Sequence, residues 1–307
     1  MKRSTTEKGY AKINLLLDIT GIRKDGYHLI DGVMQTVSLA DLLKVEYEES
    51  KQTEVEVGML SCNRKIDPQT NLARRAAVLY LETIGATGKV SIQIEKNIPV
   101  SSGLAGGSTD AAATLRALNR LFGGRLSREK LCALGVRLGA DVPFCIRGGA
   151  MRAQGIGELL TPCAGLNGCS IVIARPDLPE QDKNTREMYG KLDEAYHRFV
   201  GYPDPAPKVE DLIRLLNNGD LSAVCGRLEN VFEDIVFRTS NGLLPALKAR
   251  MQEQEGALGT LMSGSGCAVY SIFQTREQAQ RTCGILRDHP GYLAWVCEPI
   301  SRENPIC

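Results

Sequence analysis

A run of glycine and hydroxyl residues at 99–113 constrains this chain more than any other segment. It reads Pro-Val-Ser-Ser-Gly-Leu-Ala-Gly-Gly-Ser-Thr-Asp-Ala-Ala-Ala, so it leads directly into an alanine-rich stretch. Glycine lets backbone N–H groups approach a ligand without a Cβ in the way. The free N–H groups at the start of a helix, together with its dipole, favour negative charge. The segment therefore predicts a phosphate-binding loop followed by a helix.

Two widespread phosphate-binding patterns do not fit this loop. A P-loop has lysine and then serine or threonine after its last glycine, whereas Gly107 is followed directly by Ser108. The glycine spacing also departs from the dinucleotide-binding fingerprint. A glycine-rich turn that only starts a helix is the alternative, although a simple N-cap needs one such residue and not seven.

The length and charge of the chain exclude several classes of function. Its 307 residues are enough for two domains with a large core. The formal net charge is +1, so neither nucleic acid nor an anionic membrane is expected as a main partner. No apolar signal region follows the first residues, and no apolar run approaches the ~20 residues of a membrane span. We expect small-molecule partners and a monomer or homodimer.

The ten cysteines form no C-x-x-C motif, and only three histidines accompany them. This composition argues against a zinc site. Several cysteines lie in apolar surroundings, as Cys145 and Cys297 do, where a reduced thiol serves as a small hydrophobic side chain. We expect free thiols in a reducing cytoplasm, with an isolated disulfide or a redox-sensitive thiol as the alternative.

Hydrophobic periodicity predicts mixed strands and helices without a regular βαβ repeat, which indicates an α+β fold. The expected strands are 10–18, 31–38, 42–48, 52–57, 90–95, 149–153 and 170–174. The expected helices are 71–83, 109–121 and 127–138. Gly201, Pro203, Pro205 and Pro207 mark a loop, then helical patterns run to 258, a strand–turn–strand covers 257–273, and a helix and a strand follow at 276–299. A boundary near 165 divides the chain into domains 1–165 and 166–307.

Asp141 is the leading candidate for a catalytic base. It lies in the segment Gly-Ala-Asp-Val-Pro-Phe at 139–144, between apolar flanks. A carboxylate in such surroundings is partly desolvated, and its proton affinity is tuned accordingly. The alternative is an aspartate that only caps a helix or forms a turn.

Lys12 is the natural partner of this carboxylate. It is predicted to point inward from an otherwise apolar strand, where an ammonium group needs an anion. It would hold Asp141 ionised or stabilise charge on a transferring phosphoryl group. The alternative is a lysine at the strand edge that extends its ammonium to water.

A second glycine–hydroxyl loop, Met-Ser-Gly-Ser-Gly, occupies 262–266. Two such loops in one chain suit a site between two domains, one holding the triphosphate and one closing over the acceptor. Gly264 and Ser265 are its candidate binding residues. A simple hairpin turn is the alternative, because glycine and serine also dominate turns.

Taken together, these segments resemble the motifs of the GHMP small-molecule kinases. The resemblance rests on Lys-Ile-Asn-Leu at 12–15, the loop at 99–113, the Asp141 segment and the loop at 262–266. It implies a two-domain α+β architecture, with an N-terminal domain like domain 2 of ribosomal protein S5 and a ferredoxin-like C-terminal domain. The active site is then expected in the cleft between them.

The resemblance also implies ATP as phosphoryl donor, with Mg²⁺, and a set of binding residues. Asp141 would accept the proton of the substrate hydroxyl, Lys12 would neutralise Asp141 and the moving phosphoryl group, and Asn14 would bind the acceptor. The expected ATP-binding residues are Asn71, Lys96, Pro99, Val100, Ser101, Ser102, Gly103, Leu104, Ala105, Gly106, Gly107, Ser108 and Thr109. No Mg²⁺ ligand is assigned.

Gly-Tyr-His-Leu at 26–29 narrows the resemblance to the branch whose substrate is a cytidine diphosphate-linked methylerythritol. There the 2-hydroxyl is phosphorylated in the non-mevalonate route to isoprenoids. By this resemblance, Tyr27 and His28 would bind the cytosine, and Tyr189 would cover it from the other side. The sequence Asn-Thr-Arg at 184–186 departs from the usual Ser-Thr-Lys of that branch but keeps Thr185 and a positive charge at Arg186.

Two alternatives differ from this interpretation. The first is a GHMP kinase for mevalonate, phosphomevalonate or homoserine, whose carboxylate would call for an arginine clamp in place of Tyr27 and His28. The second is a nucleotide-binding regulator without catalysis, which would not need the base or the lysine.

Overall fold

The computed structural model describes residues 2–60, 70–178, 185–196 and 206–302. The predicted loop residues Gly201, Pro203 and Pro205 lie outside these ranges. The strands are β1 Lys2–Ile22, β2 His28–Glu49, β3 Glu54–Met59, β4 Gly88–Glu95, β5 Ala150–Gly155, β6 Leu159–Pro162, β7 Ser170–Pro176, β8 Glu229–Asn230, β9 Ala257–Met262, β10 Val269–Phe273, β11 Tyr292–Cys297 and β12 Pro299–Ile300. The helices are α1 Leu72–Ile84, α2 Gly106–Leu121, α3 Arg128–Leu138, α4 Val142–Arg147, α5 Thr185–Tyr196, α6 Ala206–Asn218, α7 Leu221–Cys225, α8 Glu233–Arg238, α9 Leu243–Gln252 and α10 Arg276–Asp288.

The first sheet is built on a long antiparallel hairpin of β1 and β2. Its strand order is β3-β4-β2-β1-β8, and β5, β6 and β12 extend it along β2. The inward side chains of β2 and β4 are apolar, and the alanine-rich face of α2 packs against the same layer. The core of this layer thus places the start of α2, and the loop before it, at one edge of the sheet.

The prediction of two strands at 31–38 and 42–48 was wrong, because β2 runs without interruption from His28 to Glu49. Neither glycine nor proline separates the two apolar runs. The pairing with β1 shifts in register instead, since Tyr10 faces Ala40 while Lys12 faces Thr36. This β-bulge keeps both runs in one strand and leaves that part of β2 to pair with β12.

The second sheet has four antiparallel strands in the order β11-β7-β10-β9. With the helices between β7 and β9, and α10 before β11, this is the split β-α-β arrangement of a ferredoxin-like unit. The predicted α+β fold with a ferredoxin-like second part is confirmed. The chain passes from one sheet to the other between β6 and β7, and β8 and β12 later return to the first sheet.

The helix after the phosphate-binding loop begins earlier than its predicted start at 109. Gly106 and Gly107 already form its first turn, and Ala105 stands at the N-cap with a φ of 61°. The Ala105 side chain provides no cap, so the first backbone N–H groups of α2 are not bonded by it. The glycines thus belong to the helix start itself.

Eight cysteines in the described ranges are free thiols, five of them buried. Cys62 and Cys307 lie outside those ranges. Burial raises the pKa of the Cys145 thiol to about 12 and that of Cys169 likewise to about 12. These thiols therefore act as small apolar side chains. In the part of the chain that the structure describes, no helix has the length and apolar character to cross a membrane.

Candidate active site

A cavity of about 920 Å³ lies where the two sheets meet. Its wall combines β1, the start of β2, the loop before α2, the turn before α4, helix α5 and the loop between β9 and β10. It therefore gathers segments that are more than 200 residues apart in sequence. Its position between the two layers matches the cleft expected for the site.

The two glycine loops touch each other in this wall. The Ser263 hydroxyl donates to the Gly103 carbonyl oxygen at 3.1 Å, and Ala268 N donates to Ser102 O at 3.0 Å. A Cβ on Gly103 would lie 2.1 Å from the Ser263 carbonyl oxygen, so only glycine fits there. A φ of 81° at Gly103 also favours glycine. Both loops thus contribute to one site.

Most of the predicted site residues line this cavity. They are Lys12, Asn14, Tyr27, His28, Ser101, Ser102, Gly103, Ala105, Gly106, Gly107, Ser108, Asp141, Tyr189, Gly264 and Ser265. Six predicted residues do not line it, namely Asn71, Lys96, Pro99, Val100, Leu104 and Thr109.

Lys12 and Asn14 form a buried pair on β1. The Lys12 ammonium donates to Asn14 Oδ1 at 2.6 Å, and both residues are almost fully buried. The Lys12 backbone N–H donates to the Leu104 carbonyl oxygen at 3.2 Å, which fixes the strand against the phosphate loop. No ion pair links Lys12 to Asp141. The ammonium is therefore held in the cavity wall by an amide, with its charge not cancelled by a bound carboxylate.

Asp141 stands at the N-cap position of α4, but its side chain makes no capping hydrogen bond. Its backbone carbonyl accepts from Cys145 N at 3.0 Å, so the main chain alone anchors the turn. The carboxylate belongs to the cavity wall. The interpretation of Asp141 as a simple capping residue has no support from these contacts.

Four loop residues outside the cavity wall hold the loop in place. Leu104 is fully buried, and the Thr109 hydroxyl donates to Tyr10 O at 2.8 Å. Pro99 O accepts from the Ser102 hydroxyl at 2.6 Å. Val100 O accepts from the guanidinium of Arg175 on β7 at 3.4 Å, a bond that ties the loop to the second sheet. These positions support the loop from behind.

Lys96 lies beneath the loop and not in the cavity. Its ammonium contacts Asp41 Oδ2 at 2.5 Å and Asp110 Oδ2 at 2.8 Å, with all three side chains at most 7% exposed. Burial lowers the pKa of Lys96, but the Asp110 and Asp41 carboxylates outweigh it, so the pKa is raised. Burial raises the pKa of Asp110 to about 7, and the neighbouring Asp41 adds to this while Lys96 opposes it.

This buried cluster joins both ends of the phosphate-binding loop. Asp41 Oδ1 accepts from the backbone N–H groups of Asn97 and Ile98, at 2.7 and 2.8 Å, at the start of the loop. Asp110 belongs to the first turns of α2, at its end. The side chain of Asn71 also has a structural role, because it caps α1 by accepting from Arg74 N at 3.1 Å.

The aromatic residues predicted for a cytosine lie at another part of the wall. His28 and Tyr189 are in ring contact, with centroids 4.5 Å apart and an interplanar angle of 32°. Tyr189 also packs edge-on against Phe232 at 4.9 Å. Burial raises the pKa of Tyr189 to about 12, so the phenol stays neutral. Tyr27 is 55% exposed, with the guanidinium of Arg23 over its ring.

Sequence reasoning missed Asp193 and Phe232, both of which line the cavity. Asp193 Oδ1 lies 2.7 Å from His28 Nε2. Asp193 follows Tyr189 by four residues on a helix, and this spacing places both on the same face. That signal was available in the sequence. Phe232 has no comparable signal, because only the return of β8 to the first sheet brings it here.

The described residues contain no cluster of three His, Cys, Asp or Glu side chains that could hold a metal ion. Mg²⁺ in kinases is held by one or two protein oxygens together with substrate phosphates and water. The hydroxyl groups of Ser101, Ser102 and Ser108 in the cavity wall suit that limited donor set.

Comparison with known proteins agrees with this geometry. Residues 71–149 match the GHMP kinases N terminal domain, and residues 206–290 match the GHMP kinases C terminal domain. The chain is 38% identical to 4-diphosphocytidyl-2-C-methyl-D-erythritol kinase of Clostridium beijerinckii, over 89% of this chain and 92% of the relative. This chain belongs to the GHMP kinase family. It is a small-molecule kinase.

Two further comparisons place the chain within the GHMP kinases. The Clostridium perfringens kinase of the same name is 38% identical over 97% of this chain and 99% of its own. A crystal structure of 4-(cytidine 5'-diphospho)-2C-methyl-D-erythritol kinase superposes with a TM-score of 0.74 and 34% identity, covering 97% of this chain and 98% of that chain. Similarity therefore extends over nearly the whole GHMP fold and both of its sheets.

Proposed function

We propose that this GHMP kinase transfers the γ-phosphoryl group of ATP to the 2-hydroxyl of 4-diphosphocytidyl-2-C-methyl-D-erythritol. The observation that carries the proposal is the single cavity that contains a phosphate loop, a lysine–carboxylate set and an aromatic group. Lys12, Asn14 and Asp141 share this cavity with the glycine loops and with His28 and Tyr189. Relatives named for this reaction, similar over most of the chain, support the same assignment.

Asp141 is proposed to accept the proton of the attacking hydroxyl. A tertiary alcohol is a hindered nucleophile with a high pKa, so a positioned base helps its attack. The carboxylate suits this role because its side chain makes no capping bond and belongs to the cavity wall. Lys12, held by Asn14, then stabilises negative charge on the moving phosphoryl group.

The backbone N–H groups at the start of α2 are proposed to bind the phosphates of ATP. Gly106 and Gly107 form that first turn and present main chain without side chains. Mg²⁺ supplies charge neutralisation when it is bound to the triphosphate, and serine hydroxyls of the loop would complete its ligands. Positioning of the two substrates provides most of the remaining acceleration.

The side chains that line the cavity favour a cytidine-linked acceptor over mevalonate, phosphomevalonate or homoserine. Each of those acceptors carries a carboxylate, which arginine binds best through two parallel hydrogen bonds. Among the described residues that line the cavity there is no arginine. Tyr27, His28 and Tyr189 instead offer flat apolar faces, and stacking of a base on such a ring contributes about 1–3 kcal/mol.

A phosphotransfer assay with each acceptor tests the proposal. The purified chain, with ATP and Mg²⁺, is expected to release ADP with 4-diphosphocytidyl-2-C-methyl-D-erythritol and not with mevalonate, phosphomevalonate or homoserine. Turnover of one of the latter, without turnover of the cytidine substrate, would contradict it. ATP binding without turnover of any acceptor would favour the non-catalytic regulator.

We also propose a reducing cytoplasm as the location and small molecules as the partners, in a monomer or homodimer. Free thiols among the described residues support the reducing compartment. Titration of these thiols in the purified protein, without prior reduction, is expected to find them free and not in disulfide bonds.

A further inference from the structure

Asn230 holds the second glycine loop, at 262–266, from behind the cavity wall. Its side-chain nitrogen donates to Met262 O at 2.7 Å and to Gly264 O at 2.8 Å. Its Oδ1 accepts from Phe232 N at 3.0 Å. The residue is 6% exposed and does not line the cavity. One buried amide therefore joins the loop to the segment between β8 and α8.

This position requires both the donors and the acceptor of an amide. The two loop carbonyl oxygens only accept and the Phe232 N–H only donates, so these partners fix which way the Asn230 amide points. An aspartate has nearly the same shape, but its carboxylate has no donor for the loop. A hydrogen-bonding demand of this kind favours a specific role for Asn230 over simple filling of space.

The main chain of Asn230 is attached to the strand that carries Lys12. Strand β8 pairs in parallel with β1, with Asn230 opposite Leu17. The next residue continues this connection, since Val231 N donates to Leu17 O at 2.9 Å. Asn230 thus joins β1 on its main-chain side to the second glycine loop on its side-chain side.

The part of the loop that Asn230 holds lies against the Lys12 ammonium. A Cβ on Gly264 would lie 3.3 Å from Lys12 Nζ and 2.9 Å from the Gly103 carbonyl oxygen. The Gly264 main chain therefore packs between the cation and the phosphate-binding loop. In such a site a displacement of about 1 Å can lower the rate about a hundredfold, because the reacting groups lose their alignment.

We propose that Asn230 is a positioning residue for phosphoryl transfer. By holding Met262 O and Gly264 O, it fixes the second glycine loop against Lys12 and the phosphate-binding loop. The Lys12 ammonium then stays aligned with the phosphoryl group that moves. This inference rests on the proposed function, because it takes Lys12 to stabilise that group.

The variant Asn230→Asp tests the assignment. It removes both donors with almost no change of shape and keeps an oxygen for Phe232 N. Glu233 Oε2 still accepts from Met262 N at 2.9 Å, so the end of β9 stays anchored while Gly264 is released. The kcat at saturating ATP and acceptor is expected to fall about tenfold to a hundredfold. The KM for ATP is expected to stay nearly unchanged, as for an interaction that matters in the transition state.

Asn230→Ala is the second variant, in case a buried carboxylate prevents folding. It releases the loop without adding a charge and is expected to lower kcat by about tenfold. Wild-type kcat in a folded Asn230 variant would overturn the proposal.

Ser271→Ala is the matched control. It removes a buried hydrogen bond of 2.6 Å between the Ser271 and Thr260 hydroxyls, which joins the two strands that flank the loop. The variant loses stability through one buried hydrogen bond but is expected to keep the wild-type kcat. If kcat falls as far in Ser271→Ala as in Asn230→Ala, activity follows stability alone and the proposal is wrong.

Amide hydrogen exchange shows whether Asn230 acts through the loop. Ser263 N donates to Ala268 O at 2.9 Å, and Gly266 N donates to Ser263 O at 3.0 Å. In Asn230→Ala these two N–H groups are expected to exchange faster than in the wild type, while the β9–β10 ladder keeps its rates. Unchanged exchange at both loop positions would overturn the proposal even where kcat falls.

The same experiments separate this inference from the proposed function. If the wild type does not turn over 4-diphosphocytidyl-2-C-methyl-D-erythritol, the proposed function fails, and the variants are compared with the acceptor that the wild type does phosphorylate. If the wild type turns over the cytidine substrate and the Asn230 variants keep their kcat, only the role of Asn230 fails.

Discussion

Two lysines that were both expected in the site, one as a catalytic and one as an ATP-binding residue, have opposite surroundings in this protein. Lys12 lies in the cavity wall, where its ammonium contacts the neutral amide of Asn14. Lys96 lies beneath the phosphate loop, where its ammonium contacts the carboxylates of Asp41 and Asp110. The first keeps its charge available to a ligand. The second has its charge compensated within the protein.

This difference indicates separate roles for the ammonium groups of Lys12 and Lys96. A buried cation between two carboxylates connects backbone segments, and here it joins the start of the phosphate loop to α2. A cation held by an amide stabilises a negative charge that arrives from outside. We expect changes at the charged residues in the cavity wall to affect turnover. Changes at the buried cluster of Asp41, Lys96 and Asp110 are expected to affect stability.

The largest expected effect follows from Asp141→Asn. Loss of the proton acceptor is expected to lower kcat by about a hundredfold or more, while the Kd for ATP stays nearly unchanged. Steady-state kinetics and calorimetric titration with ATP measure the two quantities. Asp25→Asn is the matched control, because Asp25 also lines the cavity but is paired with Arg23 near the surface. Near-full activity of Asp141→Asn would remove Asp141 from the role of base.

Lys96→Met is expected to act on stability. It leaves two buried carboxylates without their cation, and breaking such a pair costs about 3–5 kcal/mol in free energy of unfolding. Urea denaturation measures this loss. Lys89→Met on β4, the strand that ends just before Lys96, removes an exposed lysine paired with Glu54 and is expected to cost much less. Equal losses in the two variants would contradict the scaffold role of the cluster.

Gly103→Ala is expected to disturb the contact between the two glycine loops. The new Cβ would lie 2.1 Å from the Ser263 carbonyl oxygen, so one loop must move. Gly124→Ala separates this clash from the backbone cost, because Gly124 has a φ of 74° and no atom within 4 Å of its Cβ position. The control is expected to lose about 1–2 kcal/mol. Gly103→Ala should lose more, together with affinity for ATP.

A pH dependence of stability is expected from Asp110. Its pKa is raised to about 7 in the folded protein from an ordinary value of 3.8, with burial as the main cause. The folded state therefore binds more protons than the unfolded state between these two values. The stabilisation is complete below pH 3.8 and is lost as the pH rises towards 7.

The stability of Asp110→Asn, measured by urea denaturation at several pH values, is expected to depend less steeply on pH over that range. Asp177→Asn, which changes an exposed aspartate, is the matched control and should keep the wild-type slope. A wild-type slope in Asp110→Asn would show that Asp110 is already ionised at low pH. In that case the buried cluster would carry a net negative charge throughout.

Local sequence patterns predicted much of the fold. The strand at 90–95, the helix at 127–138 and the strand–turn–strand at 257–273 correspond to β4, α3 and the β9–β10 pair. Periodicity suggested a break between 38 and 42. It could not predict that β2 continues there, because a bulge and the pairing with β12 keep the strand in one piece. The role of each candidate site residue stays a prediction that the variants above test.

The site was harder to predict than the fold. Lys96 and Asn71 follow the expected motif positions, yet their side chains are bound within the protein. Local sequence carries no information on whether a lysine faces a cavity or a buried carboxylate 55 residues away. Asp193 was predictable in part, because its spacing from Tyr189 on a helix is visible in the sequence.

The sequence by itself predicted a phosphate-binding loop at a helix start, without a P-loop lysine. It did so because the glycines and hydroxyls act locally through backbone geometry. The tertiary structure decided which charged groups face that loop and which support it from behind. Burial and charge compensation depend on contacts between distant segments, as at Asp41, Lys96 and Asp110. For the same reason only the fold brought His28 against Asp193, 165 residues later in the chain.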